Sequence, residues 1–208
     1  MTWREGEALR LGPDVVQALI PHRRPLLMVD GVDAVRLGAR PELWARRHIS
    51  GNEEVFAGHF PGLHLWPGIY TIEGLGQSSL LLTIIMRAVA ARERDGGSAA
   101  EVLDALRDLE ASYQLRPAPR SPAAAALLDA LGRPDPRLGI SGQVDMKLLA
   151  PVFAGQELRY HVALTHAVGS LARFDVEAEA GGQVVARGRM TGAIGELGPP
   201  PGAGERLR

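Results

Sequence analysis

The sequence predicts an α+β fold: one curved antiparallel sheet folded around one long helix. Two observations carry this. First, the stretch from Gly68 to Ala91 is apolar almost throughout. Glu73 is the only charged residue between His59 and Arg87. A helix that is apolar all round is a buried one, and it needs a sheet to cover it. Second, the last third of the chain alternates apolar and polar residues with a period of two, the pattern of strands with one buried and one wet face. One long apolar helix and one GHFPG loop give no sign of internal duplication.

The elements follow in order. PDVVQALI at 13–20 reads as a short helix, with Pro13 in its first turn and Val15/Leu19 and Val16/Ile20 on one face. Pro21 and Pro25 close it. Leu26 to Val35 is rich in Leu and Val and short enough for a buried strand. Leu43 to Ser50 alternates less tidily and is the second strand; Gly51-Asn52 is a turn. After the long helix, Ser98 and Glu101 form a capping box ahead of Val102, Leu106 and Leu109. A second short helix is expected over 122–131, with Ser121 as cap, Pro122 at its first position and Gly132 as terminator. RPAPRSP and GRPDP are breakers.

Four strands then remain. Their inward faces are expected to carry Ile140, Val144, Met146 and Leu148; Tyr160, Val162 and Leu164; Phe174, Val176 and Ala178; and Val184, Ala186 and Met190. Gly181-Gly182 suits a hairpin turn. The layout is thus helix, two strands, long helix, helical insert at about 92–137, and four strands. From about Gly195 the chain is too poor in apolar residues to pack, so 196–208 is expected to be a disordered tail. The expectation is one domain over 1–195.

Composition narrows the function classes. With 208 residues and 46% hydrophobic content the chain can bury a core. A net charge of −1 gives no reason to expect nucleic acid. No cysteine excludes a disulfide framework or a thiolate zinc site and fits the cytoplasm. The N-terminus is charged, without the apolar run of a signal peptide. An acid within the 68–91 run argues against a membrane span. No metal or cofactor is expected, because the histidines do not pair at ligand spacing.

His59 and Glu73 stand out as titratable groups on a Gly/Pro loop and on an apolar helix. Together with GHFPG at 58–62, Pro67-Gly68 and Gln77, they make the chain resemble the beta-hydroxyacyl-acyl-carrier-protein dehydratases of the FabZ type, which have the hot-dog fold. Glu73 follows His59 by 14 positions, as in that family. PHRRPLLMVDGV at 21–32 and GQVDMKLLAPVFAGQEL at 142–158 resemble two further motifs. The acid is Glu, as in the FabZ branch, where the FabA branch has Asp. The chain departs from the pattern at Leu63–Trp66, at AGQ in 154–156, and in the length of the insert. These departures bear on substrate.

The resemblance implies dehydration of (3R)-hydroxyacyl thioesters on an acyl carrier protein, in fatty acid or polyketide-type synthesis. An imidazole, with an ordinary pKa of about 6.5, suits the base that takes a C2 proton, and His59 has that role. A carboxyl among apolar groups favours its protonated form, and Glu73 is the candidate acid. Gly68 begins the long helix, so its N–H is an unpaired donor at the positive end of the helix dipole and a candidate oxyanion site. Phe60, Trp66 and Tyr70 are candidate substrate contacts, and Gln77 a support for Glu73. His22, His48, His161 and His166 read as ordinary surface or packing residues, and His64 as ambiguous. The resemblance also implies a homodimer in which His59 meets Glu73 of the other subunit. An acidic carrier would want a basic rim, for which Arg23, Arg24, Arg46, Arg47, Arg87, Arg92 and Arg94 are candidates. A hot-dog thioesterase and a non-catalytic carrier-binding subunit are the alternatives.

Overall fold

A computed structural model describes residues 6–114, 119–132 and 141–193. Their elements are β1 (Glu7–Leu11), α1 (Pro13–Leu19), β2 (Gly31–Arg36), β3 (Glu42–His48), a 3-10 turn (Glu54–Ala57), α2 (Gly68–Arg94), α3 (Ala99–Ser112), α4 (Pro122–Leu131), β4 (Ser141–Leu148), β5 (Glu157–Val168), β6 (Leu171–Ala180) and β7 (Gln183–Ala193). All seven strands lie in one sheet, in the order β1-β2-β3-β5-β6-β7-β4, and every neighbouring pair is antiparallel. Helix α2 packs against β3, β4, β5, β6 and β7, so the sheet wraps it. This is the hot-dog arrangement, and the α+β expectation holds.

Helix α2 is buried around most of its circumference, with Leu75, Leu81, Leu82 and Ile85 essentially inaccessible. Its hydroxyl groups fit inside because each bonds back along the helix. Ser78 Oγ donates to Gly74 O at 2.7 Å, Ser79 Oγ to Leu75 O at 2.9 Å and Thr83 Oγ1 to Ser79 O at 2.9 Å. Gly74 is required by packing. A Cβ there would lie 2.3 Å from the Tyr160 hydroxyl oxygen. Among the described residues α2 is the one helix long and apolar enough to cross a membrane, and 67% of its most apolar window is buried inside the protein.

The insert is helical as expected. The capping box of Ser98 and Glu101 forms in full, and Ser121 caps α4, which Gly132 ends at φ 63°. Helix α3 holds down the β1 edge. Arg107 donates to Glu7 at 2.7 Å and to the Ala8 carbonyl at 2.9 Å, and Glu110 accepts the Gly12 N–H at 2.7 Å. The breaker segments and the tail beyond 193 fall wholly or largely outside the described residues.

Four strand expectations need correction. Strand β1 was not expected, yet Leu9 and Leu11 are buried on its inner face. The run from Leu26 to Asp30 is not a strand. A glutamine side chain on α2 takes its backbone bonds, and regular pairing starts at Gly31. Strand β4 forms, but Val144 and Leu148 are 44% and 54% exposed, because β4 is an edge paired only to β7; Ile140 lies outside the described residues. In β7 it is Val185, not Val184, that is buried beside Ala186. A register shift opposite Ala178 and Glu179 adds one residue to that strand and turns Val185 inward. The Gly181-Gly182 turn has φ of 58° and 79°, as a two-residue hairpin of this twist requires.

Candidate active site

The loop 58–67 is tied to its surroundings by backbone bonds. His59 N donates to Val55 O at 2.9 Å, Phe60 and Leu63 exchange two 2.9 Å bonds, and Gly62 takes φ 79° at the corner. Trp66 N donates to Val152 O at 2.8 Å and Ala154 N to His64 O at 3.1 Å, which fastens the loop to the segment that connects β4 to β5. That segment holds the AGQ departure. Gln156 Oε1 accepts the Phe153 N–H at 2.7 Å and Gly155 adopts φ 85°, so the turn closes with an amide in place of a carboxylate.

The ring of His59 stacks on Phe60 with centroids 4.3 Å apart, across a cis peptide. Its Nδ1 lies 2.9 Å from Leu65 O. A carbonyl can only accept, so Nδ1 carries the hydrogen and Nε2 carries the lone pair. The loop thereby presents Nε2 as a base.

Beneath the loop, Phe56 stacks on His64 at 5.0 Å and meets Trp66 edge-on at 6.2 Å; Trp66 in turn meets Tyr70 at 5.3 Å. Trp66 is buried, Tyr70 packs partly buried against the core and Phe60 is 48% exposed. The Arg47 guanidinium sits 5.7 Å from the Trp66 ring centroid and bonds Asp30 at 2.6 Å and Glu53 at 2.5 Å. This buried cation joins the start of β2 to the turn that leads into the loop.

Glu73 stands on the first turns of α2. Gln77, one turn on and 1% exposed, donates from Nε2 to Glu73 Oε1 at 2.8 Å and to Leu26 O at 2.6 Å, and accepts the Met28 N–H at 2.8 Å. The expected supporting role of Gln77 is therefore joined to a structural one. The Glu73 side chain is 41% exposed, so within one chain the carboxyl is not the buried group that its apolar helix suggests. Gly68 is the first residue of α2, after Pro67, and no side chain caps it. A Cβ at Gly68 would lie 2.3 Å from Leu148 Cδ1, so a larger residue there would require the Leu148 side chain to shift.

His22 was read as an ordinary histidine, yet its Nε2 lies 3.5 Å from Glu73 Oε1. Arg23 fixes the backbone there, donating to Gln17 O at 2.9 Å, Ile20 O at 2.8 Å and His22 O at 2.7 Å. Burial pushes the His22 imidazole below its ordinary value; Glu73 opposes this and Arg23 adds to it. The sequence signal was present, since His22 lies in the PHRRP motif.

The basic rim changes. Arg47 is buried, Arg46 pairs with Asp33, Arg92 bonds Glu101 at 2.6 Å, and Arg23 serves the end of α1. Nor does one chain join the expected pair. His59 is bonded to Leu65 and Glu73 to Gln77, and among the described residues the two make no bond to each other.

Residues 20–115, which include this site, match the family model of the FabA-like domain. Among curated proteins, a 3-hydroxyacyl-[acyl-carrier-protein] dehydratase FabZ from an Anaeromyxobacter species is 41% identical over 71 residues, 34% of this chain and 44% of that protein. The FabZ of Nitrosomonas eutropha is 28% identical over 82% of this chain and 89% of its own. The stronger matches thus span about half the length of the relatives concerned. Among solved structures, the dehydratase heterocomplex ApeI:P from Xenorhabdus doucetiae is similar at 14% identity, over 88% of this chain and 91% of that one, with a TM-score of 0.49.

Proposed function

We propose that this protein dehydrates (3R)-hydroxyacyl thioesters carried on an acyl carrier protein to trans-2-enoyl thioesters, in fatty acid synthesis. The observation that carries the reading is the His59 tautomer, a base fixed by the Leu65 carbonyl within the family's own loop. His59 Nε2 takes the C2 proton. The electrons of that bond form the C2–C3 double bond as the C3–O bond breaks, and the Glu73 carboxyl gives its proton to the departing hydroxyl, which leaves as water. Negative charge that builds on the thioester oxygen is met by the Gly68 N–H at the start of α2. Solvent exchange returns a proton from His59 to Glu73.

The working unit in this reading is a cytoplasmic homodimer. What supports it is exposed apolar surface: Val144 and Leu148 on the edge strand β4, and Phe60, Leu63, Ile69 and Phe153. The resemblance implies that in such a dimer His59 meets Glu73 of the second copy; among the described residues of one chain the two make no bond. Residues 1–195 act as one unit, with 92–137 as a helical insert. Phe60 and Tyr70 contact the acyl arm, and Trp66 sets the floor of its path from within the core. That floor and the insert favour a specialised, polyketide-type substrate as the second reading.

The test is hydration of crotonyl and longer enoyl thioesters by the purified chain. His59→Ala and Glu73→Gln should each lower turnover by about a hundredfold or more. Full activity in both variants would refute the assignment. Release of free thiol without hydration would mean a thioesterase, and turnover equal across chain lengths would remove the specialised reading.

A further inference from the structure

We propose that His22 is a positioning residue for Glu73: its Nε2–H and the Gln77 amide together hold Oε1, leaving Oε2 to carry the proton that leaves with the hydroxyl. The proposal rests on the dehydratase reading and adds to it a residue outside the His–Glu pair.

The geometry is as follows. Oε1 of Glu73 takes the Gln77 amide at 2.8 Å on one side and faces His22 Nε2 at 3.5 Å on the other. Among the described residues Oε2 accepts no hydrogen bond. A carboxyl oxygen whose lone pairs already face two N–H donors is the poorer seat for a proton, so the acid's hydrogen is biased to Oε2. Gln77 cannot rotate away, because its other bonds to Leu26 O and Met28 N anchor it. His22 is anchored through its backbone by Arg23, which spans the turn after α1.

For this role His22 must be neutral and carry its hydrogen on Nε2. Its Nδ1 is buried with no partner among the described residues. A bare lone pair there costs less than a stranded N–H or a charged ring. The charged groups that bear on the ring are Glu73 from α2 and Arg23 from its own turn, and burial outweighs Glu73, which favours the neutral form.

Three variants of the full chain test this, read by steady-state hydration and by the pH profile of kcat/KM. His22→Phe keeps a flat ring without a donor. It should lower kcat about tenfold to a hundredfold, the scale of a misplaced acid, with KM nearly unchanged and the limb assigned to Glu73 displaced. His22→Gln places an amide N–H at the reach of Nε2 and should recover most of the loss. His22→Asn reaches only as far as Nδ1 and should not. Wild-type kcat and pH profile in His22→Phe, or equal losses in His22→Gln and His22→Asn at unchanged melting temperature, would overturn the proposal.

A second readout does not depend on turnover. The tautomer of the His22 ring is read by nitrogen NMR in the wild type: hydrogen on Nε2 is expected, and hydrogen on Nδ1 would overturn the proposal. An inactive wild type with the hydrogen on Nε2 would sink the dehydratase reading and leave the His22–Glu73 contact standing.

Discussion

Replacing Gln77 by methionine keeps the side chain's length and helix preference and removes three bonds at once. The cost differs for each partner. Met28 is 1% exposed, so its N–H, bonded at 2.8 Å to Gln77 Oε1, would be stranded away from water; that costs about 1–3 kcal/mol. Leu26 is 52% exposed, so its carbonyl can turn to solvent and the loss is that of an ordinary bond, about 1 kcal/mol. Glu73, with its side chain 41% exposed, regains water and contributes little to stability. Burying a thioether in place of an amide offsets part of this. The net expectation is a loss of about 1–3 kcal/mol, which for a chain of this size lowers the melting temperature by about 2–12 °C. Urea unfolding, followed by circular dichroism and tryptophan fluorescence, measures it. An unfolding free energy within about 0.5 kcal/mol of wild type, the size of an ordinary surface change, would refute the view that Gln77 anchors the 26–28 segment.

Gly74→Ala should destabilise by about 1–2 kcal/mol. Overpacking against Tyr160, fully buried and 2.3 Å from the new Cβ, costs about 1–3 kcal/mol and exceeds the helix-propensity gain of about 1. Gly76→Ala, whose Cβ would sit at an ordinary 3.4 Å from Met190, should be neutral or slightly stabilising, and thermal melts of the two should diverge. Acid should weaken the fold partly through Glu42. Burial pushes its carboxyl up, but hydrogen bonds from Arg36 at 2.6 Å and His161 at 3.1 Å outweigh it and hold the group below its ordinary value of 4.5. A depressed folded pKa contributes stability that is present above 4.5 and lost as pH falls through the folded value. Glu42→Gln should therefore be less stable at pH 7 and show a shallower fall on acidification; parallel curves would contradict this.

The legible parts were those whose causes are local. The Ser98–Glu101 box, Ser121 with Pro122, and the Gly181-Gly182 hairpin each form where their residues demand, because cap and turn energetics reach only three or four positions along the chain. The long apolar run could only be a wrapped helix, and the GHFPG loop with Glu73 carried the resemblance to the dehydratases. Less visible was whatever depends on a distant partner. β1 is five residues long with Arg10 at φ 55°, too short and irregular to announce itself, and it stands because α3 grips it from about 100 residues away. The apolar run at 26–30 looked like a strand until Gln77, some 50 positions on, claimed its backbone.

The sequence by itself determined the elements of α2 to α4, the alternation of the late strands, and the candidates proposed as base, acid and oxyanion donor. Tertiary structure decided the rest. It sets the His59 hydrogen on Nδ1 through Leu65 O, brings His22 to Glu73 across 51 positions, and sinks Arg47 between Asp30 and Glu53. It also leaves the β4 face uncovered. The physical reason is that alternation reports only that a strand has an apolar side, whereas what covers that side, and which donor faces which oxygen, depends on segments that the chain brings together only on folding.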